Sequence, residues 1–433
     1  MSTLKVNKLR DTAGSADAIT LDPNGGAVLA GVTTISTARI TTGITTSIQV
    51  GGGVTISESG IDASGIGITC ANINGTQIGG RRNLIHNGAM TVAQRGTSST
   101  TSGYYTVDRF ASYWSGTDEN PTQAQVDVSS GTTPYTNGFR KALKITNGNQ
   151  TGGAGATDWV WVRYLFEAQD IANSGWNYTS SSSYVTLSFW IKSSVAQTFK
   201  GYLRSRDGTE QRYAFETGSL TADTWTKIVK TIPGNSNLQF DNDASQGFQL
   251  NILGFMGTDY TDSSVTEDVW AAYASGTRMK DNTSTWFTTN DATLEITGFQ
   301  LEVGSEATSF EHRSHAEELL LCQRYFQILK GGFNVASSSS SMVFSAPLYC
   351  VMRGAPSAGK INLSGSNSTF EFGDMVSIAD HSTNTPTFDG GYIHQDLMVT
   401  GSITGFDNLT AYRSYKHEPN TTNGALITAD AEL

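Results

Sequence analysis

Residues 184–192 read Tyr-Val-Thr-Leu-Ser-Phe-Trp-Ile-Lys, and an apolar side chain stands at every second position. Val185, Leu187, Phe189 and Ile191 fall on one face of an extended chain, because successive side chains of a β-strand point to opposite sides. Trp190 falls on the other face. Such alternation is typical of an antiparallel strand that has one face in a core. The segment therefore predicts one strand of a β-sandwich.

The same pattern recurs on both sides of this segment. Clusters of Gly, Asn, Asp and Ser separate the alternating stretches, as an all-β domain requires, and helical periodicity is almost absent. Residues 81–313 therefore predict a sandwich with long loops. Its further strands are expected at residues 142–146, 199–205, 225–232, 248–253 and 294–303.

Upstream, residues 31–80 have a different composition. They hold eleven Gly, ten Thr and ten Ile, no aromatic residue, and only three charged residues. The segment is too apolar and too β-branched for a disordered linker. It is also too thin for one chain to bury, whereas repetitive segments become stable when copies stack or intertwine. We therefore predict an intertwined β shaft of three identical chains; a flexible glycine-rich linker is the alternative.

Residues 1–30 are too few to form a core of their own. Leu4, Val6 and Leu9 can form one short strand, and residues 19–21 a second. The leader is a candidate attachment segment that gains order from a partner. The alternative is that it is the frayed start of the shaft.

Residues 314–433 are predicted to form one helix followed by a C-terminal β tip domain. Ser314 and Glu317 form a capping box at the start of a helix over residues 314–329. Its apolar arc is wide, so we expect two surfaces to enclose it, near the axis of the oligomer. Beyond the helix, strands are expected at residues 342–352 and 387–404.

Charge and cysteine content limit the possible partners and compartments. The net charge is −11 and no basic run occurs, which argues against nucleic-acid binding. No stretch reaches the roughly 20 apolar residues of a membrane span. Cys70, Cys322 and Cys350 form neither a disulfide framework nor a zinc motif. The N-terminus has no signal-peptide core, so we expect folding in a reducing cytoplasm.

Aromatic side chains that lie off the core are the candidate ligand-binding residues. In residues 159–166, two tryptophans and an arginine share one face, and the apolar residues share the other. Sugar recognition needs flat aromatic faces beside hydrogen-bonding groups, although burial at a trimer interface or under loops would explain the same pattern. The candidates on strands are Trp159, Trp161, Arg163, Trp190 and Tyr202, and those on loops are Tyr260, Trp270 and Trp286.

Motifs for catalysis or cofactors are missing from the sequence. No phosphate-binding loop, zinc-protease motif or Gly-x-Ser-x-Gly elbow occurs. Asp241 and Asp243 present hard oxygens at alternate positions, which would suit Ca²⁺, but the terminal Glu of an EF-hand is missing. We therefore expect no cofactor, with calcium as the alternative, and no enzymatic activity.

Several motifs resemble segments of tail-fibre and receptor-binding proteins of tailed bacteriophages. They are residues 83–90 (NLIHNGAM), 92–96 (VAQRG), 105–110 (YTVDRF), 298–305 (GFQLEVGS) and 317–326 (EELLLCQRYF). The opening MSTLKVN is similar to virion proteins of phages that infect marine cyanobacteria. The resemblance covers roughly residues 81–327.

The resemblance implies a homotrimeric fibre with a jelly-roll domain like those of carbohydrate-binding modules. It implies attachment to a tail or adaptor protein of the virion through the N-terminus, and a host surface polysaccharide or lipopolysaccharide as ligand. The alternatives are a polysaccharide-degrading or deacetylating tailspike enzyme, and a head or neck decoration fibre.

Overall fold

The protein is built mainly of β-strands. The computed structural model describes residues 81–329, 333–362, 398–406, 409 and 425–432 and, of the remaining residues, only the strands named below. Among the described residues, strands far outnumber the few short helices. The predicted all-β class with sandwich-like sheets is therefore confirmed.

The chain divides into two compact units, Met1–Cys70 and Ala71–Leu433. In the first unit, β1 to β3 form one antiparallel sheet and β4 to β6 form another. Leu4 and Val6 lie outside the described residues, and Leu9 is described only as part of β1. The attachment role of residues 1–30 therefore stays a prediction. The intertwined shaft of three chains at residues 31–80 also stays a prediction. The strands are β1 (Lys8–Arg10), β2 (Asp17–Leu21), β3 (Ala27–Leu29), β4 (Ser47–Val50), β5 (Val54–Ser57) and β6 (Gly60–Asp62).

The second unit begins with a short hairpin and continues into a sandwich. Every strand predicted between residues 142 and 303 is present, with ends that differ by a few residues. The strands are β7 (Asn72–Ile73), β8 (Thr76–Gln77), β9 (Ser98–Ser99), β10 (Phe110–Ser115), β11 (Thr122–Asp127), β12 (Lys141–Thr146), β13 (Trp159–Glu167), β14 (Tyr184–Ser193), β15 (Thr198–Ser205), β16 (Gln211–Ser219), β17 (Thr226–Pro233), β18 (Gln246–Met256), β19 (Trp270–Ala272) and β20 (Thr293–Val303).

Two six-stranded sheets face each other in a jelly-roll sandwich. The front sheet has the order β10-β13-β18-β15-β16-β19, and the back sheet has the order β17-β14-β20-β12-β11-β9. Consecutive strands repeatedly change sheet, which brings distant segments of the chain side by side. Antiparallel pairing joins all neighbours within each sheet.

The main core lies between the two sheets. The inward residues of β14, including Phe189, are fully buried, as the alternation predicts. Phe189 stacks on Phe299 of β20 with ring centroids 4.7 Å apart and planes 3° apart. From the front sheet, the inward residues Val160, Val162 and Tyr164 of β13 complete the same cluster. Burial of these apolar side chains is the main stabilising contribution to the sandwich.

The predicted long helix is shorter than expected. Four helices occur in the part of the chain that the structure describes: α1 (Thr133–Thr136), α2 (Ala168–Ala172), α3 (Thr285–Thr288) and α4 (His315–Gln323). Ser314 caps α4 by accepting a hydrogen bond from the backbone nitrogen of Glu317 at 3.2 Å.

The expectation that the helix continues to residue 329 is wrong. The chain turns at Tyr325, and Phe326–Leu329 forms β21. This strand pairs with β30 (Ala425–Asp430), because the alternating Phe-Gln-Ile-Leu sequence satisfies a sheet as well as it satisfies a helix. The expected enclosure of the helix is also incomplete, since Leu320 is 50% exposed.

The C-terminal strands form two more sheets. A three-stranded sheet has the order β21-β30-β24, and a seven-stranded sheet has the order β26-β25-β29-β22-β23-β28-β27. The segment predicted at residues 387–404 is a hairpin of two strands rather than one. The remaining strands are β22 (Phe333–Ala336), β23 (Ser341–Pro347), β24 (Ser357–Asn362), β25 (Phe370–Asp374), β26 (Asp380–Thr383), β27 (Thr387–His394), β28 (Met398–Thr404) and β29 (Ser414–His417).

Candidate functional site

The outer face of the front sheet carries most of the predicted binding residues. Cross-strand pairing sets them in rows: Tyr113 of β10 lies opposite Trp161 of β13. Two residues further along β13, Arg163 lies opposite Asn251 of β18. Asn251 in turn lies opposite Tyr202 of β15. Side chains in such rows are direct neighbours on one face. The front sheet therefore collects aromatic and polar groups from several strands on the side away from the main core.

A second, smaller apolar cluster lies on this face. The loop between β18 and β19 contributes Val265, and the loop after β19 contributes Met279; both pack with Trp161 and Tyr202. Trp161 is 6% exposed and Tyr202 is 1% exposed, so both are covered although neither belongs to the main core. Around them Tyr113, Trp159, Tyr260 and Tyr273 are only partly buried.

The exposed edge of this cluster combines two tilted tryptophan rings with two arginines. The Trp159 and Trp161 rings lie with centroids 4.9 Å apart at 31°. The guanidinium carbon of Arg163 lies 4.8 Å from the Trp161 ring centroid and 5.0 Å from that of Tyr113. That of Arg278 lies 5.5 Å from the Trp161 centroid and 4.6 Å from the Tyr260 centroid. We call these six residues the aromatic–arginine face: Tyr113, Trp159, Trp161, Arg163, Tyr260 and Arg278.

Polar groups of this face lack partners within the part of the chain that the structure describes. The Nε atoms of Arg163 and Arg278 are buried without a hydrogen-bond partner, and so is the indole nitrogen of Trp161. Neither arginine forms a salt bridge with a described carboxylate. Buried polar groups are nearly always hydrogen-bonded in folded proteins. These three nitrogens have essentially no accessible surface, so a ligand cannot reach them directly, but the two arginine side chains that carry Nε are partly exposed at this face.

The electrostatic surroundings of this face are positive. Burial raises the pKa of Tyr202 to about 12, and the guanidinium groups of Arg278, Arg163 and Arg204 oppose that rise. Burial also raises the pKa of Tyr113, with Arg163 opposing the rise and Glu432 adding to it. Both phenols are therefore neutral near pH 7, and that of the partly exposed Tyr113 is available as a hydrogen-bonding group.

Comparison with known proteins gives structural neighbours only, since neither a protein-family profile nor a curated protein sequence matches this chain. The enzymatically active domain of tailspike protein 4 of bacteriophage CBA120 is 8% identical over 51% of this chain and 21% of its own length, with a TM-score of 0.27. The chain thus spans about a fifth of that domain.

Two carbohydrate-binding modules are also among the neighbours. The N-terminal cellulose-binding domain of β-1,4-glucanase C from Cellulomonas fimi is 13% identical over 50% of this chain and 99% of its own, with a TM-score of 0.24. The family 11 module of Clostridium thermocellum, solved with a mixed-linked tetrasaccharide, is 11% identical over 50% and 98%, with a TM-score of 0.22. At such TM-scores these likenesses carry no weight for function.

Five of the predicted binding residues meet at the outer face of the front sheet and three do not. Trp190 lies on the outer face of the back sheet, in a cluster with Phe139. Trp270 packs against the main core, and its indole nitrogen donates to the carbonyl oxygen of Pro233 at 2.7 Å. The prediction for Trp286 is wrong: it sits in α3 with no exposed surface, so it cannot stack on a ligand. Those that do meet are Trp159, Trp161, Arg163, Tyr202 and Tyr260.

Two residues of the face escaped the sequence analysis. Tyr113 follows the alternation of β10, whose inward residues Phe110 and Trp114 join the main core, so the periodicity could have revealed it. Arg278 lies in an irregular loop. Nothing in the sequence indicates that this loop folds back onto Trp161.

The motifs that resemble phage fibre proteins are structural. The Asn83 carboxamide oxygen accepts from the backbone nitrogens of Ile85 at 3.0 Å and Leu301 at 3.1 Å, and its nitrogen donates to the Phe299 carbonyl at 3.0 Å. A Cβ atom on Gly88 would lie 2.1 Å from that carbonyl oxygen, so only glycine fits. These residues attach the segment before β9 to β20 rather than binding a ligand.

A second set of motif residues joins the sandwich to the C-terminal strands. Arg109 has no exposed side-chain surface; it pairs with Glu432 and donates to the carbonyl oxygen of Leu165 at 2.6 Å. Arg95 pairs with Asp430 at 3.0 Å and with Glu432 at 3.4 Å. We call these four charged residues the polar clamp: Arg95, Arg109, Asp430 and Glu432.

The calcium candidates are exposed and already engaged locally. Asp241 accepts a hydrogen bond from the Gln239 side chain at 3.1 Å, and Asp243 accepts from the backbone nitrogen of Ser245 at 2.9 Å. Within the described residues, no group of three or more His, Cys, Asp or Glu is placed to hold a metal ion. Calcium binding at Asp241 and Asp243 stays a prediction.

A concave pocket of about 370 Å³ lies elsewhere, between α2 and the segment before β9. Burial, with Arg81 adding to it, lowers the pKa of His86 well below its usual value, so the imidazole is neutral. The single carboxylate among the described lining residues is Asp170, whereas glycoside hydrolysis usually uses two. The pocket therefore gives no support to the enzyme alternative.

No helix in the described part of the chain is long and apolar enough to cross a membrane.

Proposed function

We propose that this chain is an adhesive fibre protein of a tailed bacteriophage that binds a polysaccharide or lipopolysaccharide of the host surface. The observation that carries the proposal is the aromatic–arginine face. Trp159 is half-buried and its ring packs at a tilt against Trp161, next to two guanidinium groups that pair with no carboxylate among the described residues. Aromatic faces beside unsatisfied donors are the groups that sugar rings and their hydroxyls require. The face is shallow, so each site would bind weakly.

Weak single sites gain strength when several copies act together, and this is the reason to propose a homotrimer. Residues 31–80 are rich in Ile and Thr but hold no aromatic residue, and intertwined copies would cover their apolar stripe. Three linked sites raise the avidity well above the affinity of one. Attachment to a virion protein through residues 1–30 belongs to the same proposal and places the protein on the virion.

The binding proposal is tested with full-length protein and the polysaccharide of a host envelope, immobilised on a sensor surface. Truncating Trp159 to Ala is expected to weaken binding by about tenfold or more, the usual loss for an aromatic contact residue. The matched control is Trp190→Ala, since Trp190 is also half-buried but lies on the other sheet. Circular dichroism checks that both variants keep their β content.

The outcomes separate the candidate functions. Loss of binding in Trp159→Ala with full binding in Trp190→Ala supports the adhesin. Equal binding of both variants and the parent protein refutes the aromatic–arginine face as the site. Release of short oligosaccharides from the polymer refutes a purely adhesive role in favour of the enzyme alternative. Labelling of intact virions with antibody to residues 333–432 tests the location, and labelling at the head or neck would favour a decoration fibre.

A further inference from the structure

The outer face of the front sheet carries more positively charged side chains than the binding of a neutral sugar would require. Besides Arg163, its outer face presents Lys200, Arg204 and Arg212 from the strands β15 and β16, and Arg278 from a loop. Five cations thus share one face of a chain whose net charge is −11. A group of cationic side chains on one face of a negatively charged protein needs a local explanation.

Two of these cations are neutralised within the chain. The Lys200 amine donates to Glu216 at 2.6 Å and to Glu267 at 2.7 Å. Arg204 donates from its Nε atom to Glu210 at 3.0 Å. These pairs lie on β15 and toward β16, away from β13, which carries Trp159.

The remaining three cations have no carboxylate partner among the described residues. Arg212 is 6% exposed; its Nε atom donates to the carbonyl oxygen of Thr277 at 2.7 Å, while one of its terminal nitrogens is buried without a partner. Thr277 directly precedes Arg278, so Arg212 supports the loop that carries Arg278. The buried Nε atoms of Arg163 and Arg278 are likewise unpartnered.

Arg163 and Arg278 are partly buried, and a cation that loses part of its hydration without gaining a counter-charge is costly. The protein has 39 acidic residues, yet none of the described ones compensates Arg163 or Arg278. The carboxylate that acts on Tyr113 from this side, Glu432, is itself engaged with Arg109 and Arg95. An anion from outside the chain would offset the unpaired charge of Arg163 and Arg278.

We propose that the aromatic–arginine face selects acidic glycans, with Arg163 and Arg278 binding a carboxylate or sulfate group of a sugar whose ring lies against Trp159. Guanidinium groups match the geometry of planar and tetrahedral oxyanions and form two parallel hydrogen bonds to them. Contact with aromatic rings holds both guanidinium groups in place. This inference rests on the proposed glycan binding and adds the class of ligand.

The test measures binding of the full-length protein to three immobilised polymers: polygalacturonate for carboxylate, dextran sulfate for sulfate ester, and dextran as the neutral polymer. We expect tighter binding to one or both acidic polymers than to dextran. Raising the salt concentration from about 50 mM to about 500 mM should weaken only the acidic binding, because salt screens exposed charges. The net charge of −11 disfavours unspecific adsorption of polyanions.

Variants identify the residues. Arg163→Gln and Arg278→Gln should each lower the affinity for the acidic polymer about tenfold, the value of one charged hydrogen bond, and leave dextran binding within about twofold. Arg163→Lys keeps the charge and should recover part of the loss. The matched control Lys192→Gln removes a cation from the back sheet, where Lys192 pairs with Glu295 at 3.0 Å, and should change nothing.

Failure of this inference differs from failure of the proposed function. If dextran and acidic polymers bind equally and only Trp159→Ala weakens them, the acidic selectivity is refuted while glycan binding stands. If acidic polymers bind but neither arginine variant lowers the affinity, the assignment to Arg163 and Arg278 is refuted. If no polymer binds and host envelope polysaccharide does not bind either, both proposals fall together.

Discussion

Replacing Glu432 with Gln tests the polar clamp, which is the most demanding electrostatic arrangement in the molecule. Arg109 has no exposed side-chain surface and pairs with Glu432, which is itself 6% exposed. Removing one partner of a buried ion pair costs about 3–5 kcal/mol. Arg95 retains Asp430, and Gln keeps one acceptor oxygen, so we expect a loss of about 3 kcal/mol in the free energy of unfolding.

Thermal unfolding followed by tryptophan fluorescence measures this loss. For a domain of this size, about 3 kcal/mol corresponds to a decrease in melting temperature of roughly 6–12 °C. Glu306→Gln is the matched control, since Glu306 is exposed and its replacement should leave the melting temperature within about 1 °C. Equal melting temperatures for both variants would refute the view that Glu432 compensates a buried Arg109.

Three further predictions concern packing, pH and assembly. Gly88→Ala should destabilise the sandwich by about 3 kcal/mol, because its new Cβ would lie 2.1 Å from the Phe299 carbonyl oxygen. The control Gly354→Ala places its Cβ with no atom within 4 Å and should leave the free energy of unfolding unchanged in the same assay. Burial raises the pKa of Asp108 to about 6, so protonated Asp108 stabilises the fold at low pH and this contribution is lost as the pH rises through that value. Asp108→Asn should flatten the dependence of the free energy of unfolding on pH between about pH 4 and pH 6. An unchanged slope would contradict the raised pKa. Light scattering should give three times the chain mass of 46.3 kDa, and a variant lacking residues 1–80 should give one chain mass; a trimer without residues 1–80 would show that the shaft is not what joins the copies.

The strands of the sandwich were predictable because one face of each is buried in a single core. Val185 and Phe189 could be assigned to that core from period-two alternation alone. The helix end was not predictable in the same way. Phe326 and Leu329 satisfy both a helical stripe and a strand pattern, and the choice between them is made by β30, about a hundred residues later.

The candidate site was predictable on its strands and, among its loop residues, at Tyr260. Trp159, Trp161 and Arg163 share one face by alternation, and the structure keeps them together. Their partner Arg278 is brought by an irregular loop, whose path no local pattern specifies. Trp286 shows the opposite error: an aromatic residue in a polar stretch is buried because α3 turns it into the core.

The polar clamp joins residues more than three hundred positions apart, since Arg95 and Arg109 meet Asp430 and Glu432. During synthesis, a nascent chain that has not yet emerged as far as residue 432 must leave the Arg109 guanidinium without its counter-ion. The polar clamp therefore stays incomplete until residue 432 has left the ribosome, although every strand of the sandwich precedes residue 304. Chains cut short before residue 430 should therefore have a less stable sandwich than the full-length chain and be degraded more readily.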